Sequence, residues 1–433
     1  MKKWLVLLSS IIIVLQIFLA PAGAGEVDIL VDKLVEKGIL SKEDAQEVLK
    51  EVKNEAKKER DAVVQETKAA LKKDGTTLLA ELPGWIKNTK LKGDFRLRYQ
   101  SSERRGGADR HRGRYRLRLG LVTKVNDKIK LYFGLATGSN DPRSTNQSMT
   151  NSFDTPDFRL DYAYVSYKPY GWVEILGGKI KNPIWSTSGL LWDSDIRPEG
   201  AAALFNWACD STELFLVAGA WILDERSSEE NDPMMFVLQS GMKFGLGENA
   251  YFKNAFTFYE FNDVKGSSLD YNTGSNAFNW IDAGDLNGEV DSDERHLKHD
   301  FDGLAYSAEL GLDTSIDAVP FCALYGDAVK NTNVTDEDMG YLIGFKFGNN
   351  KVSKPHQWQA KISYRRLEQN AWLDIFPNAD VYSGRTNVKG YHFALKYGLM
   401  KNVSGALNYY HTKRIDGDSL TDQILQADVI FKF

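Results

Sequence analysis

Past Pro83, Gly84 and Trp85 the chain settles into a period of two, with apolar and polar residues taking turns. Leu91, Phe95, Leu97 and Tyr99 alternate with Lys90, Lys92, Asp94, Arg96 and Arg98, and then Tyr115, Leu117, Leu119 and Leu121 alternate with Arg114, Arg116 and Arg118. Successive side chains of a strand point to opposite faces, so each segment offers one face to an apolar medium and one to water. Comparable runs fall near residues 129–138, 158–168, 173–181, 200–208, 212–223, 234–245, 250–262 and 303–312. More follow near 319–329, 340–348, 357–367, 390–398, 403–412 and 423–433, which makes 16 candidate strands. Most are about 9 to 13 residues long, as tilted strands crossing a bilayer need to be.

The connections between these runs alternate in length. They are long at 101–111, short at 124–128, long at 139–157, short at 169–172, long at 182–199 and short at 209–211, and the rhythm continues to a very long loop at 263–302. Long loops on one rim and short turns on the other are the plan of a membrane barrel, whereas a stack of soluble sandwiches has no reason to keep that rhythm. In the last run Leu425, Ala427, Val429, Phe431 and Phe433 share one face. A terminal Phe433 ending such an alternation resembles the assembly signal of bacterial outer-membrane proteins. Pairing the last strand with the first would remove both unpaired edges, which lipid cannot satisfy. The expectation is an all-β protein: a 16-stranded antiparallel transmembrane β-barrel over residues 85–433, preceded by a short periplasmic α-helical segment over 25–84.

Residues 1–24 read as a cleaved signal peptide: Lys2 and Lys3, an apolar run from Leu5 to Ala20, and Ala22-Gly23-Ala24 before Gly25. From Val27 to Leu71 the period is helical, with Gly38 able to end a first short helix and Ser41, followed by Asp44, able to cap a second. Leu49, Ala56, Val63 and Ala70 recur every seven residues, but Glu59 and Glu66 interrupt the seam, so a weak coiled coil or a solvated helix is expected. With 36 glycines and 12% aromatic residues, the composition suits strands and turns. A formal net charge of -5 argues against a nucleic-acid partner. Cys209 and Cys322 lie far apart and form no metal- or haem-binding pattern.

The stretch Gly177 to Gly200, GGKIKNPIWSTSGLLWDSDIRPEG, stands out because it leaves a strand, turns apolar at Leu190, Leu191 and Trp192, and ends in charges. Such a mixture suits a loop wedged against a wall with its charges facing water. With the leader and the charged helical prelude, GGKIKNPIW at 177–185 and WDSDIRPEG at 192–200 resemble the putative porins of Gram-negative bacteria. The GKxKNP portion is also similar to the phosphate-selective O/P porins. The resemblance implies export to the outer membrane of a Gram-negative bacterium. It also implies a water-filled channel for passive diffusion of small hydrophilic solutes or ions, a frequently trimeric assembly, and a third outer loop folded inward. Counted along the chain, residues 182–199 are that third loop.

A pore filters by size and by sign, because low-dielectric walls focus the field of fixed charges across the water. The basic wall is expected from Arg96, Arg98, Arg114, Arg116 and Arg118, joined by Lys179 and Lys181, with Asp193, Asp195 and Glu199 on the opposing acidic side. Elsewhere Asp285, Asn287, Asp291 and Glu294 match ligand positions of a calcium loop, although Ala283 stands at the first one, so calcium is the single cofactor candidate. Gly245-Leu246-Gly247-Glu248-Asn249-Ala250 imitates a dinucleotide fingerprint, but the run after it is strand-like and the segment reads as a hairpin turn. No nucleophile motif or phosphate loop is present, so no enzyme is expected. The competing function is a barrel that sheathes a periplasmic or extracellular partner.

Overall fold

The computed structural model describes residues 84–227, 232–280, 295–418 and 420–433, together with isolated positions between 35 and 58. The chain divides into two compact units, Met1–Lys87 and Asn88–Phe433. In the first, the Ser41 hydroxyl accepts the backbone N–H of Asp44 at 3.1 Å, as a helix N-cap does, and donates to its carboxylate at 2.7 Å. Gly84–Lys87 forms one helical turn. The expected leader, the rest of the helical segment and the calcium-loop residues Asp285, Asn287, Asp291 and Glu294 lie outside the described residues.

The second unit is built from sixteen antiparallel strands: β1 (Thr89–Arg104), β2 (Arg110–Lys124), β3 (Ile129–Ala136), β4 (Arg159–Tyr170), β5 (Val173–Lys179), β6 (Glu199–Cys209), β7 (Thr212–Ile222) and β8 (Met234–Gly245). They continue as β9 (Ala250–Asn262), β10 (Gly303–Asp313), β11 (Phe321–Asn331), β12 (Met339–Gly348), β13 (Trp358–Leu367), β14 (Val388–Met400), β15 (Val403–Arg414) and β16 (Thr421–Lys432). Each pairs with its sequence neighbour, and β16 pairs with β1 from Asp94↔Lys432 to Arg104↔Asp422, closing the ring. Every expected strand is present. The first long loop is not: β1 and β2 stay paired as far as Ser102↔Arg110, so only residues 105–109 connect them.

Burial is inverted relative to a soluble protein. On β1, Leu97 and Tyr99 expose 41% and 50% of their surface, whereas Arg96 and Arg98 between them expose 8% and 5%. The apolar face therefore looks outward to lipid and the charged face inward, as an aqueous barrel in a bilayer requires. The chain end secures the seam: Phe433 N–H donates to the Gly93 carbonyl at 3.0 Å and Gly93 N–H to the Phe433 carbonyl at 2.8 Å. The Phe433 ring lies over Gly93 so closely that a Cβ there would fall 2.5 Å from it.

Inside, two inward-folded loops share one aromatic core. Loop 3, residues 180–198, brings Leu190, Leu191 and Trp192, and loop 7, residues 368–387, brings Trp372, Leu373 and Phe376. Trp192 packs at 4.5 Å from Phe376 and edge-on to Trp221 of β7 at 5.8 Å, and Tyr259 of β9 meets Trp372 edge-on at 4.7 Å. Their indole N–H groups are satisfied, Trp372 donating to the Leu191 carbonyl at 2.8 Å and Trp192 to the Tyr259 hydroxyl at 3.1 Å. Aromatic burial, with the Trp192 and Trp372 N–H groups both paired, holds the two loops against the wall.

Candidate channel constriction

Loop 3 is tied along the wall at several points. The Trp185 backbone and the Gln239 side chain on β8 exchange two hydrogen bonds, both 2.9 Å. Asp327 of β11 accepts from Thr187 N–H at 3.0 Å, and the Thr187 and Ser188 hydroxyls add to it. Pinned on this side, the loop turns its tip, Asp193 and Ser194, toward the arginines of β1 and β2.

These arginines arise from register. Arg96 stands opposite Arg116, Arg98 opposite Arg114, and Asp94 opposite Arg118, all on the inward face. Like charges side by side are unfavourable unless counter-ions intervene. Asp94 pairs with Arg116 at 2.7 Å and with Arg118 at 2.8 Å. Arg98 grips Asp428 of β16 with Nε at 2.7 Å and Nη2 at 2.9 Å, and its Nη1 reaches Asp380 of loop 7 at 3.0 Å. Its charge is spent on holding that loop to the wall. Among the described residues Arg114 hydrogen-bonds only neutral partners, Gln100 at 3.2 Å and Ser144 at 3.5 Å. Among the described residues the Nε atoms of Arg96, Arg112 and Arg114 are buried without a hydrogen-bond partner.

Two cavities lie along this wall. The one on the long-loop side, of about 510 Å³, is lined by seven arginines, among them Arg96, Arg112, Arg114 and Arg116, and by five aspartates. The one on the short-turn side, of about 760 Å³, is lined by Lys92, Arg118, Lys181 and Arg197 against Asp94, Asp161 and Asp193. Asp193, Ser194 and Asn378 belong to both walls, so the two cavities adjoin at the tips of loops 3 and 7, which face the arginines. Lys181 is held in the second cavity over the Tyr162 ring, 4.1 Å from its centre.

The acidic residues of loop 3 are not equivalent. Asp195 is buried, accepts Thr145 N–H at 3.1 Å and the Thr145 hydroxyl at 2.8 Å, and pairs with Arg118 at 3.3 Å. Burial works against its ionisation, but Arg118, Arg116 and these hydrogen bonds outweigh it and hold the carboxyl below its usual range. Asp193 accepts the backbone N–H groups of Asp195 and Ala379, both at 2.8 Å, and so staples loop 3 to loop 7. Burial, reinforced by the neighbouring Asp195 charge, pushes it up to about 7.

Lys179 and Glu199 do not join the constriction. They sit opposite each other in the β5–β6 register and form an ion pair. Strand parity puts them in the row of Ile175, which exposes 43% of its surface, on the outward face.

Arg112 and loop 7 complete the site beyond the residues expected from the sequence. Arg112 continues the every-second-residue arginine series of β2 and was legible there. Loop 7 carried a weaker signal: Trp372, Leu373, Ile375 and Phe376 are a dense apolar run in a segment that water would otherwise bathe. Among the described residues no group of three or more His, Cys, Asp or Glu is arranged to hold a metal ion, and Cys209 and Cys322 are free thiols.

The family model described as putative porin matches residues 103–280 and 293–433, most of the barrel unit. The chain belongs to the putative porin family. A porin is a channel and not an enzyme. Among solved structures this porin is similar to OmpF of Salmonella typhi in complex with daunomycin, at 11% identity and TM-score 0.47, covering 80% of this chain and 97% of that one. It is also similar to OprB of Pseudomonas putida, at 10% identity and TM-score 0.49, covering 80% and 95%. A mutant of the Rh. blastica porin matches at 10% identity and TM-score 0.43, covering 80% and 100%. No curated protein matches the sequence.

Proposed function

We propose that this porin lets small hydrophilic solutes or ions diffuse passively across the outer membrane of a Gram-negative bacterium, past a constriction that favours anions. The observation that carries this reading is the pair of cavities meeting at Asp193, Ser194 and Asn378 under an arginine-rich wall. Both cavities hold more basic than acidic side chains, although the whole chain has a formal net charge of -5. A solute in the narrow place feels the nearest fixed charges, because the apolar barrel and the aromatic core beside it focus their field across the water. Residues 1–24 would direct export and be removed, and residues 25–84 would remain in the periplasm.

The test is reconstitution of the purified protein into planar bilayers under a salt gradient. We expect stable single-channel steps and a reversal potential on the anion side. A barrel that passes no ions would favour a sheath around a partner, and cation selectivity would overturn the charge assignment.

A further inference from the structure

A second charged site lies on the outward face of the barrel. Along β12 to β15 the apolar belt, with Ile343, Ile362, Phe393 and Leu407 each exposing 40% or more, changes character toward the long-loop rim. Next in register comes a row of tyrosines: Tyr364 stands opposite Ile343 on one side and Tyr391 on the other, and the Tyr364 and Tyr391 rings are 5.0 Å apart. Beyond them comes a row of cations. Arg366 is opposite Lys389 and Lys389 is opposite Lys413, while His411 lies in the tyrosine row, opposite Tyr391. These residues bound a surface cavity of about 550 Å³, separate from the lumen.

The charge arrangement is unfavourable as it stands. Lys389 and Lys413 face each other directly across a strand pair, where like charges destabilise a sheet. Arg366 has Glu368 at 3.0 Å, but among the described residues neither lysine has an acidic partner within 4.0 Å. An anion seated between them would remove the conflict. Tyrosine rings favour the headgroup level of a bilayer, and basic clusters beside a membrane-facing surface recognise anionic lipid headgroups.

We propose that this cavity binds the phosphate of a phosphorylated glycolipid in the outer leaflet, its acyl chains lying over Ile343 and Phe393. Position argues for that occupant: β13 ends at Leu367 and β15 at Arg414, so the cations sit at the long-loop rim, just past the tyrosine row and the apolar belt. The inference rests on the reading that the barrel spans an outer membrane with its long loops outward.

Native mass spectrometry of the detergent-solubilised protein, titrated with diphosphorylated lipid A, tests it. We expect a lipid adduct whose affinity falls about tenfold or more in the Lys389→Gln/Lys413→Gln double variant, two surface cations being lost. Lys413→Gln alone should give a smaller loss. Lys330→Gln on β11, where the lysine is already paired with Asp338 at 3.2 Å, should change nothing. Undiminished binding by the double variant, or equal binding of the dephosphorylated lipid, overturns the proposal. Displacement of the lipid by equimolar inorganic phosphate would reveal a plain anion site and overturn it too. Bilayer conductance of the double variant should match the wild type, so a failure of the channel reading and a failure of lipid binding appear in different measurements.

Discussion

Arg98 and Arg114 stand directly opposite each other on the wall and do opposite work. Arg98 is forked onto Asp428 and Asp380, so it acts as a bolt between β16, β1 and loop 7. Arg114 and Arg112 have no acidic partner within 4.0 Å among the described residues and keep their field for the cavity. Replacing Arg112 and Arg114 together with Gln should move the reversal potential toward cations with little change in conductance. Arg98→Gln should instead leave the buried Asp428 and the half-buried Asp380 short of a partner, costing roughly 3 kcal/mol, and make the open channel noisier. Bilayer recordings of both variants separate the roles. Asp193 adds a pH dependence. Its folded value of about 7 lies above that of an ordinary carboxyl, so the folded state holds a proton that the unfolded chain has released. Stability from this group is therefore greatest below the unfolded value and declines as pH rises through about 7. In the channel, acidification across that value removes one negative charge from the narrow place. Among the described residues the walls of the two cavities contain no histidine to titrate alongside it. Anion selectivity should thus rise as pH falls from 8 to 6, and Asp193→Asn should abolish that step; an unchanged pH profile in the variant would refute the assignment.

At the level of elements, the sixteen strands were legible because lipid and water impose opposite demands on alternate side chains, and a chain obeying both writes them as a period of two. The strand ends were less legible. Ser101 and Ser102 read as loop but remain in the β1–β16 and β1–β2 ladders, because a strand leaving the membrane can stay paired in water. Loop 3 announced itself through Leu190, Leu191 and Trp192, apolar residues between charged ones. What it packs against was not written beside it, since Trp372 is contributed from 180 positions later and local spacing says nothing of so distant a partner. For the same reason Asp380 and Asp428, which consume the charge of Arg98, were invisible. Trp372 is the element that joins the two loops: it is fully buried, packs on Tyr259 and Phe261, and donates to loop 3. Trp372→Ala should cost roughly 3–5 kcal/mol of local packing. The barrel ladder does not depend on it, so the variant should still insert, while single-channel conductance should rise and flicker as loops 3 and 7 loosen. Identical steps in wild type and variant would mean that the aromatic core does not border the conducting path.

For the whole molecule the decisive contrast is between the charge a distant ion meets and the charge an ion in the narrow place meets. The chain as a whole is acidic, with a formal net charge of -5, whereas the seven arginines and five aspartates of the long-loop cavity leave an excess of positive charge. Steric filtering alone would pass small ions in the ratio of their free mobilities at every ionic strength. A fixed-charge filter behaves differently, because mobile ions screen it over about 10 Å at 0.1 M salt and about 3 Å at 1 M. The cavity is wide enough for that change to matter, since it holds about 510 Å³ of space between its charged walls. Under a constant tenfold gradient, the anion-side reversal potential should therefore shrink as the mean salt concentration is raised from about 0.1 M to about 1 M. The Arg112→Gln/Arg114→Gln variant should have less selectivity to lose and respond less. If the wild-type reversal potential stayed constant across that range, size would be the only filter and the arginine wall would serve to seat the loops.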